Sequence, residues 1–473
     1  MRRYAHEVAD WIADYLASVG DLPVFPEIAP GDLGRQLGPL SEEGEPFSEI
    51  LAEFDRVILP ATTHWNHPRF HAWFAVSGSG PGILAEAIVA ALNLNGMVWR
   101  AGPSVTELEE HVVAHLARAL GLPPGWTGSI NDTASISTLH ALAAARHVAF
   151  PDATDRGLAG SPPGRVYASC EAHSSVDRAV MALGMGREGI VRLPRDRDHL
   201  LDVGALRSAI RSDREAGHRP VAVVATLGTT STTSLDPVDA MARVAREAGV
   251  WLHVDAAYGG ALALLPEWRN AFRGWEKADS IVFNPHKWLF TPIDCSVLWV
   301  RGRDRLRAAF AVDAEYLRTA ESGRATDLME YGIALGRRFR ALKLWFVLRY
   351  FGLEGIRRRL RHHIELARSL AGTIEETEGW SVRVHGEMGL IVFRATAGGK
   401  DGAGVEGALN RAIVDRVARS GVALLSHTEL DGTVWIRLAV GNLRTTAEDL
   451  EITWSAVCAA REACLVELPG VNW

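Results

Sequence analysis

Apolar side chains at Val8, Trp11, Ile12, Tyr15 and Leu16 recur at the spacing of one helical face, and the pattern stops at Pro23, Pro26 and Pro30. A second helical segment is expected over 47–58. Neither segment carries enough apolar residues for a core of its own, so residues 1–75 read as a helical arm that packs on something else. From about residue 76 the pattern changes. Short continuous apolar runs appear at Val166-Tyr167-Ala168, Val221 to Val224, Trp251 to Val254 and Ser280 to Phe283. Helical stretches such as 236–248 lie between them, with a period of about 30 residues, the size of a βαβ unit. Runs apolar on both faces are typical of parallel strands covered by helices on each side. Ser296 to Val300 follows its predecessor too closely for a helical crossover, which predicts an antiparallel partner.

A helical stretch over 337–350 leads into strand-like runs at 389–393 and 434–438, with helices between and after, and with an exposed turn at 398–402. The expected class is α/β: a large domain over 76–345 with a mostly parallel sheet, and a small C-terminal α+β domain over 346–473.

Composition narrows the function. The 473 residues are 48% hydrophobic and 23% charged, with a net charge of −7, which argues against a nucleic-acid partner. No apolar run is long enough to span a membrane, and the N-terminal residues turn polar at once, so neither an anchor nor a signal peptide is expected. Cys170, Cys295, Cys458 and Cys464 lack metal-ligand spacing and read as reduced thiols of a cytoplasmic protein. Of 50 lysines and arginines only Lys277, Lys287, Lys343 and Lys400 are lysines, so any amine chemistry has few candidates.

Three apparent motifs are set aside. The glycines at 184, 186 and 189 fit a dinucleotide pattern but follow a helix and precede a strand, the reverse of what that function needs. His111 and His115 share a helical face without a third ligand, and His64, His67 and His71 flank Pro68 in a setting better suited to packing. No metal site is expected.

The chemistry-bearing strings stand at strand ends, where open α/β sheets build their sites. In Asn284-Pro285-His286-Lys287-Trp288, Lys287 lies among Pro285, Trp288, Leu289 and Phe290. A lysine taken out of water loses basicity and becomes a usable nucleophile toward an aldehyde. In His253-Val254-Asp255-Ala256-Ala257-Tyr258-Gly259-Gly260, Asp255 ends a buried strand and needs a cationic partner. The protonated pyridine nitrogen of pyridoxal 5'-phosphate (PLP) would supply one, and the small Ala257 would let the ring lie flat. His173, just past another strand, could stack on the opposite ring face. Thr226 and its neighbours offer hydroxyls to the same crevice. The segment Asp132-Thr133-Ala134-Ser135 precedes a helix whose free N–H groups suit a phosphate.

The strings HVDAAYGG, NPHKW, AHSSVDRA and ATLGTT resemble those of the group II PLP-dependent amino acid decarboxylases, most closely the aromatic-L-amino-acid decarboxylase branch with its tyrosine, tryptophan and histidine decarboxylases. HPRFHAWF, TELEE and LGRRFRALKLWFVLRYFG extend the likeness over nearly the whole chain. The resemblance implies the fold type I, aspartate aminotransferase-like architecture and a homodimer with sites at the subunit interface. It implies PLP-dependent decarboxylation of an aromatic amino acid to its amine. Carried over, Lys287 forms the Schiff base, Asp255 pairs with the pyridine nitrogen and His173 stacks on the ring. Ala134, Ser135, Asn284 and His286 hold the phosphate, and Thr226 lies near cofactor and substrate. Trp65, Trp73 and Phe74 line the substrate pocket, with Met97 entering from the partner subunit.

Three departures from the family stand out. Ala75-Val76 replaces a common Pro-Thr, and Arg100 replaces a small residue, which leaves an acidic substrate as an alternative. Leu328 occupies the place of a loop tyrosine that delivers a proton to the substrate carbon, with Tyr331 three residues on. That exchange leaves oxidative formation of an aldehyde as the other alternative.

Overall fold

A computed structural model describes residues 1–40, 42–312, 315–396 and 402–467. The chain divides into two compact units, 78–360 and a second built from 1–77 together with 361–473.

The unit 78–360 is organised by a seven-stranded sheet. In chain order its strands are β1 (Trp126–Asn131), β2 (Gly164–Ser169), β3 (Ile190–Leu193), β4 (Arg219–Thr226), β5 (Trp251–Asp255), β6 (Ser280–Phe283) and β7 (Ser296–Arg301). Their spatial order is β1-β7-β6-β5-β4-β2-β3. Pairs among β3, β2, β4, β5 and β6 are parallel, and β7 runs antiparallel to both β6 and β1. The short link before Ser296 therefore reverses the chain, as its length required. Every residue of β5 and β6 is buried, as is all of β4 beyond Arg219, because helices cover both faces.

Since β7 opposes both neighbours, β1 points the same way as β6. The carboxyl ends of β1, β2, β4, β5 and β6 thus emerge along one edge of the sheet. The helix Ala134–Ala149 leaves β1 after two linking residues and packs its alanines into the core with Val166, Val224 and Leu298.

The other unit has a four-stranded antiparallel sheet, ordered β10-β11-β9-β8, of β8 (Trp380–His385), β9 (Leu390–Ala395), β10 (Ser426–Leu430) and β11 (Thr433–Ala439). The N-terminal segment completes its core: Val24, Phe70, Ala72 and Ala75 are buried with Leu390, Val392 and Leu424. Two backbone ties fix the association, Val24 N–H to Gly421 O at 2.8 Å and His71 N–H to Leu424 O at 2.8 Å. The first helix, Arg2–Ser18, has no buried residue. The helical stretch Arg340–Glu376 runs on past the expected border at 345, with a break at Gly352, so the units part at 360 instead. The turn expected at 398–402 falls, over 398–401, outside the described residues.

Candidate active site

Asp255 is the last residue of β5, and Thr226, the last of β4, is its register partner. Asp255 is 6% exposed, and one carboxylate oxygen accepts the Ala257 N–H at 3.0 Å. Ala257 is buried, and its carbonyl accepts the Asn284 N–H at 3.1 Å just beyond β6. Gly259 is required here by space, since a Cβ on it would stand 2.4 Å from the Leu227 carbonyl oxygen.

Lys287 sits in the single helical turn Pro285–Trp288, whose start is fixed by Asn284 and Pro285. Its ammonium is held below the usual lysine range by burial, against an opposing pull from the Asp255 charge. Lys343 is also buried but lies against Glu86 and Asp294, and Lys277 pairs with Asp239. Among the described lysines, Lys287 is thus the one at the sheet edge beside Asp255.

His173 lies between β2 and the helix Ser175–Ala182. Burial lowers its pKa, the Asp255 charge raises it and Lys287 lowers it, which places the three groups within electrostatic reach of one another. Its Nδ1 accepts the Ser175 N–H at 3.1 Å, so the neutral ring carries its hydrogen on Nε2. His286 follows the same logic. Its Nδ1 accepts the Cys295 N–H at 2.9 Å, and burial pushes its pKa down to about 3. It is a neutral imidazole with an Nε2–H to donate.

Ala134 and Ser135 are the first two residues of their helix, not residues ahead of it as expected from the sequence. Thr133 caps the helix without a side-chain hydrogen bond, so no side chain competes there for the first-turn amides. Ser137, one turn in, meets Ser296 Oγ at 2.9 Å, next to the Cys295 that orients His286. The helix start and His286 therefore belong to one bonded assembly.

Among the described residues, Thr226 Oγ1, Asn284 Oδ1 and Ser175 Oγ are buried at this edge without a partner. A buried unsatisfied oxygen is destabilising unless a ligand completes it. Together with an aldehyde-reactive amine, a buried carboxylate and N–H donors at a helix start, the residues fit PLP.

The remaining expected residues are described within their own units. Trp65, Trp73 and Phe74 belong to the unit that includes the C-terminal region, where the indoles of Trp65 and Trp73 stack at 5.4 Å and 11°. Trp73 has a left-handed backbone (φ 49°) and is 53% exposed. Met97 is in the other unit, where its carbonyl accepts the Met329 N–H at 3.0 Å. His64, His67 and His71 are buried and hydrogen-bonded to Tyr15, Gly20 and Ala439, a packing arrangement. His111 and His115 are exposed.

The loop before Arg337 places both Leu328 and Tyr331. Tyr331 is buried within the sheet-side core, and its hydroxyl accepts a hydrogen bond from Arg303 at 2.7 Å. Leu328 is buried as well. Tyr331 is therefore not poised to swing toward a substrate. Sequence reasoning also passed over the aromatic pair Tyr258 and Trp288, and the buried ion pair of Glu109 and Arg337. Both pairs lie within or beside strings already singled out, but nothing in a string tells which side chains turn inward.

The parallel sheet, the lysine beyond β6 and the aspartate ending β5 define a fold type I PLP-dependent enzyme. The pyridoxal-dependent decarboxylase conserved domain matches residues 30–396, and the chain belongs to that family. It is 35% identical to the aromatic-L-amino-acid decarboxylase of Rattus norvegicus over 475 residues, 96% of each chain. The structure of Oryza sativa TDC with PLP and tryptamine superposes with a TM-score of 0.94 at 34% identity, covering 98% of this chain and 97% of that one. Rhodiola rosea 4-hydroxyphenylacetaldehyde synthase superposes at 0.90 with 30% identity, covering 98% of each. The protein is a PLP-dependent amino acid decarboxylase.

Proposed function

We propose that the substrate is an aromatic L-amino acid, that the product is its amine, and that Lys287, Asp255 and His173 carry the reaction. The observation that supports the residue roles best is the convergence of these three groups at the sheet edge beside the orphaned Thr226 Oγ1 and Asn284 Oδ1. When bound, PLP accepts into its ring the electrons left by the broken Cα–carboxylate bond. The chain's own residues do the rest. Lys287, with its lowered pKa, would hold the cofactor through its aldehyde carbon. The carboxylate of Asp255 holds a proton on the pyridine nitrogen. The amides of Ala134 and Ser135, the Nε2–H of His286, and Asn284 hold the phosphate. Ala257 and His173 are the residues that would flank the ring. With Tyr331 tied to Arg303, His173 is the proton source we assign for the substrate α-carbon, acting in its imidazolium form, which burial disfavours and the Asp255 charge favours.

Arg100 supports the aromatic reading over an acidic one. Its Nε and Nη2 both bond Glu321, at 2.9 and 2.8 Å, so the guanidinium is already engaged with a carboxylate. The family resemblance assigns Trp65, Trp73 and Phe74, and the partner subunit's Met97, to the substrate, a set of residues suited to an aromatic ring. The homodimer is supported by the helix Gly80–Leu92, on which Leu84, Ile88 and Leu92 are 58%, 42% and 50% exposed. Its cytoplasmic setting is supported by four free thiols.

The deciding experiment is a product assay over tryptophan, tyrosine, phenylalanine, glutamate and aspartate, run with the Lys287→Ala variant. Carbon dioxide and amine from an aromatic substrate, absent in the variant, is the expected result. Faster turnover of glutamate or aspartate, or full activity in the variant, would overturn the reading.

A further inference from the structure

Arg337 touches none of the groups assigned to the cofactor, yet its side chain is 4% exposed and that of its partner Glu109 is 1% exposed. The guanidinium Nη2 donates to Glu109 Oε1 at 2.9 Å and to the Ile130 carbonyl at 2.9 Å, while Nη1 reaches Asn131 Oδ1 at 3.5 Å. Glu109 Oε1 also accepts the Ile130 N–H at 2.8 Å. The pair thus grips the Ile130 backbone through both its N–H and its C=O, at the end of β1. Asn131 then donates to Ser137 Oγ at 3.1 Å, one turn inside the helix that begins at Ala134. Through Ser296 the same assembly reaches Cys295, whose N–H orients His286.

The pair is a poor device for stability alone. Glu109 Oε2 and Arg337 Nε are buried without partners, and burial pushes the Glu109 carboxyl up against the pull of Arg337. An apolar pair of similar volume commonly stabilises a core as well as a buried ion pair does. What charged, forked groups add is a fixed geometry. We propose that Arg337, acting with Glu109, is a positioning residue for the phosphate end of the cofactor. It locks the β1-to-helix junction, so that the Ala134 and Ser135 amides and His286 Nε2 meet the phosphate in one arrangement. The proposal rests on the reading of those groups as the phosphate cradle.

The test titrates apoenzyme separately with PLP and with pyridoxal, which lacks the phosphate, following cofactor absorbance. The chains compared are wild type, Arg337→Met, Arg337→Lys and Glu109→Gln. The wild type should prefer PLP, and Arg337→Met should reduce that preference about tenfold while pyridoxal affinity stays nearly constant, as with other outer-shell supports of a ligand site. Arg337→Lys should recover part of the loss. If Arg337→Met fails to fold, Glu109→Gln, which keeps the volume, carries the same expectation. Equal weakening toward both ligands, with the preference unchanged, would overturn the positioning role. A wild type with no preference for PLP overturns it too, and is separately recognisable as failure of the cradle assignment.

Discussion

The Tyr258 ring lies flat on the Trp288 indole, with centroids 5.0 Å apart and planes 6° from parallel. Tyr258 stands three residues after Asp255 and Trp288 one residue after Lys287, and both are fully buried. The stack fastens the turn that follows Asp255 to the turn that carries Lys287.

Removing that contact should loosen the site as well as the fold. Trp288→Ala deletes a buried indole and should cost about 3–5 kcal/mol of stability. Trp288→Phe, which keeps a ring to stack, should retain most of it. Urea denaturation of both variants, with cofactor absorbance followed in parallel, checks the link. Cofactor binding unchanged in a folded Trp288→Ala would show that the stack does not set the lysine.

His173 carries a kinetic prediction. If it supplies the proton to the substrate carbon, His173→Gln should lower kcat by about 100- to 10,000-fold. Oxygen consumption and peroxide, measured alongside amine, should remain far below product in the wild type. Stoichiometric peroxide would move the protein to aldehyde formation, the activity named for its Rhodiola rosea neighbour.

Acid should destabilise the protein well above the carboxylate range. Burial lowers His67, His71 and His253 to about 4, and His140 and His286 to about 3. Unfolded, each titrates near 6.5. Between pH 6.5 and 4 the unfolded chain therefore binds more protons at these sites, and stability is fully present above 6.5 and falls as the pH drops. Asp236, raised to about 6 by burial, opposes the trend because it takes up its proton earlier when folded. Urea midpoints at pH 7.5, 6 and 5 should decline in that order, and a flat profile would contradict the buried-histidine account.

The root of the loop offers a steric test. A Cβ on Gly332 would stand 2.3 Å from His140 Cε1, and His140 Nε2 accepts the Ile333 N–H at 3.1 Å. Gly332→Ala should destabilise by about 1–3 kcal/mol, as overpacking does. It should also expose 319–327 to proteolysis. Adding His140→Ala should relieve the clash, so a double variant no better than Gly332→Ala alone would refute it.

The sequence by itself determined the cofactor chemistry and the class of fold. Continuous apolar runs separated by helical spacing can bury only as parallel strands, and the reversal before Ser296 followed from chain length. Lys287, Asp255 and His173 stood out as candidates because ionisable side chains at or just beyond the ends of buried apolar strands have few structural reasons to be there. Tertiary structure decided what depends on distant partners. It joined residues 1–77 to 361–473 through a shared core, which no local pattern encodes. It turned Tyr331 inward to Arg303, a partner 28 positions away that the sequence did not indicate. It picked Arg337 from Arg337, Arg338 and Arg340 to meet Glu109, 228 positions away. Periodicity reports which face of an element is apolar, and only packing reports which polar group on the other face finds a mate.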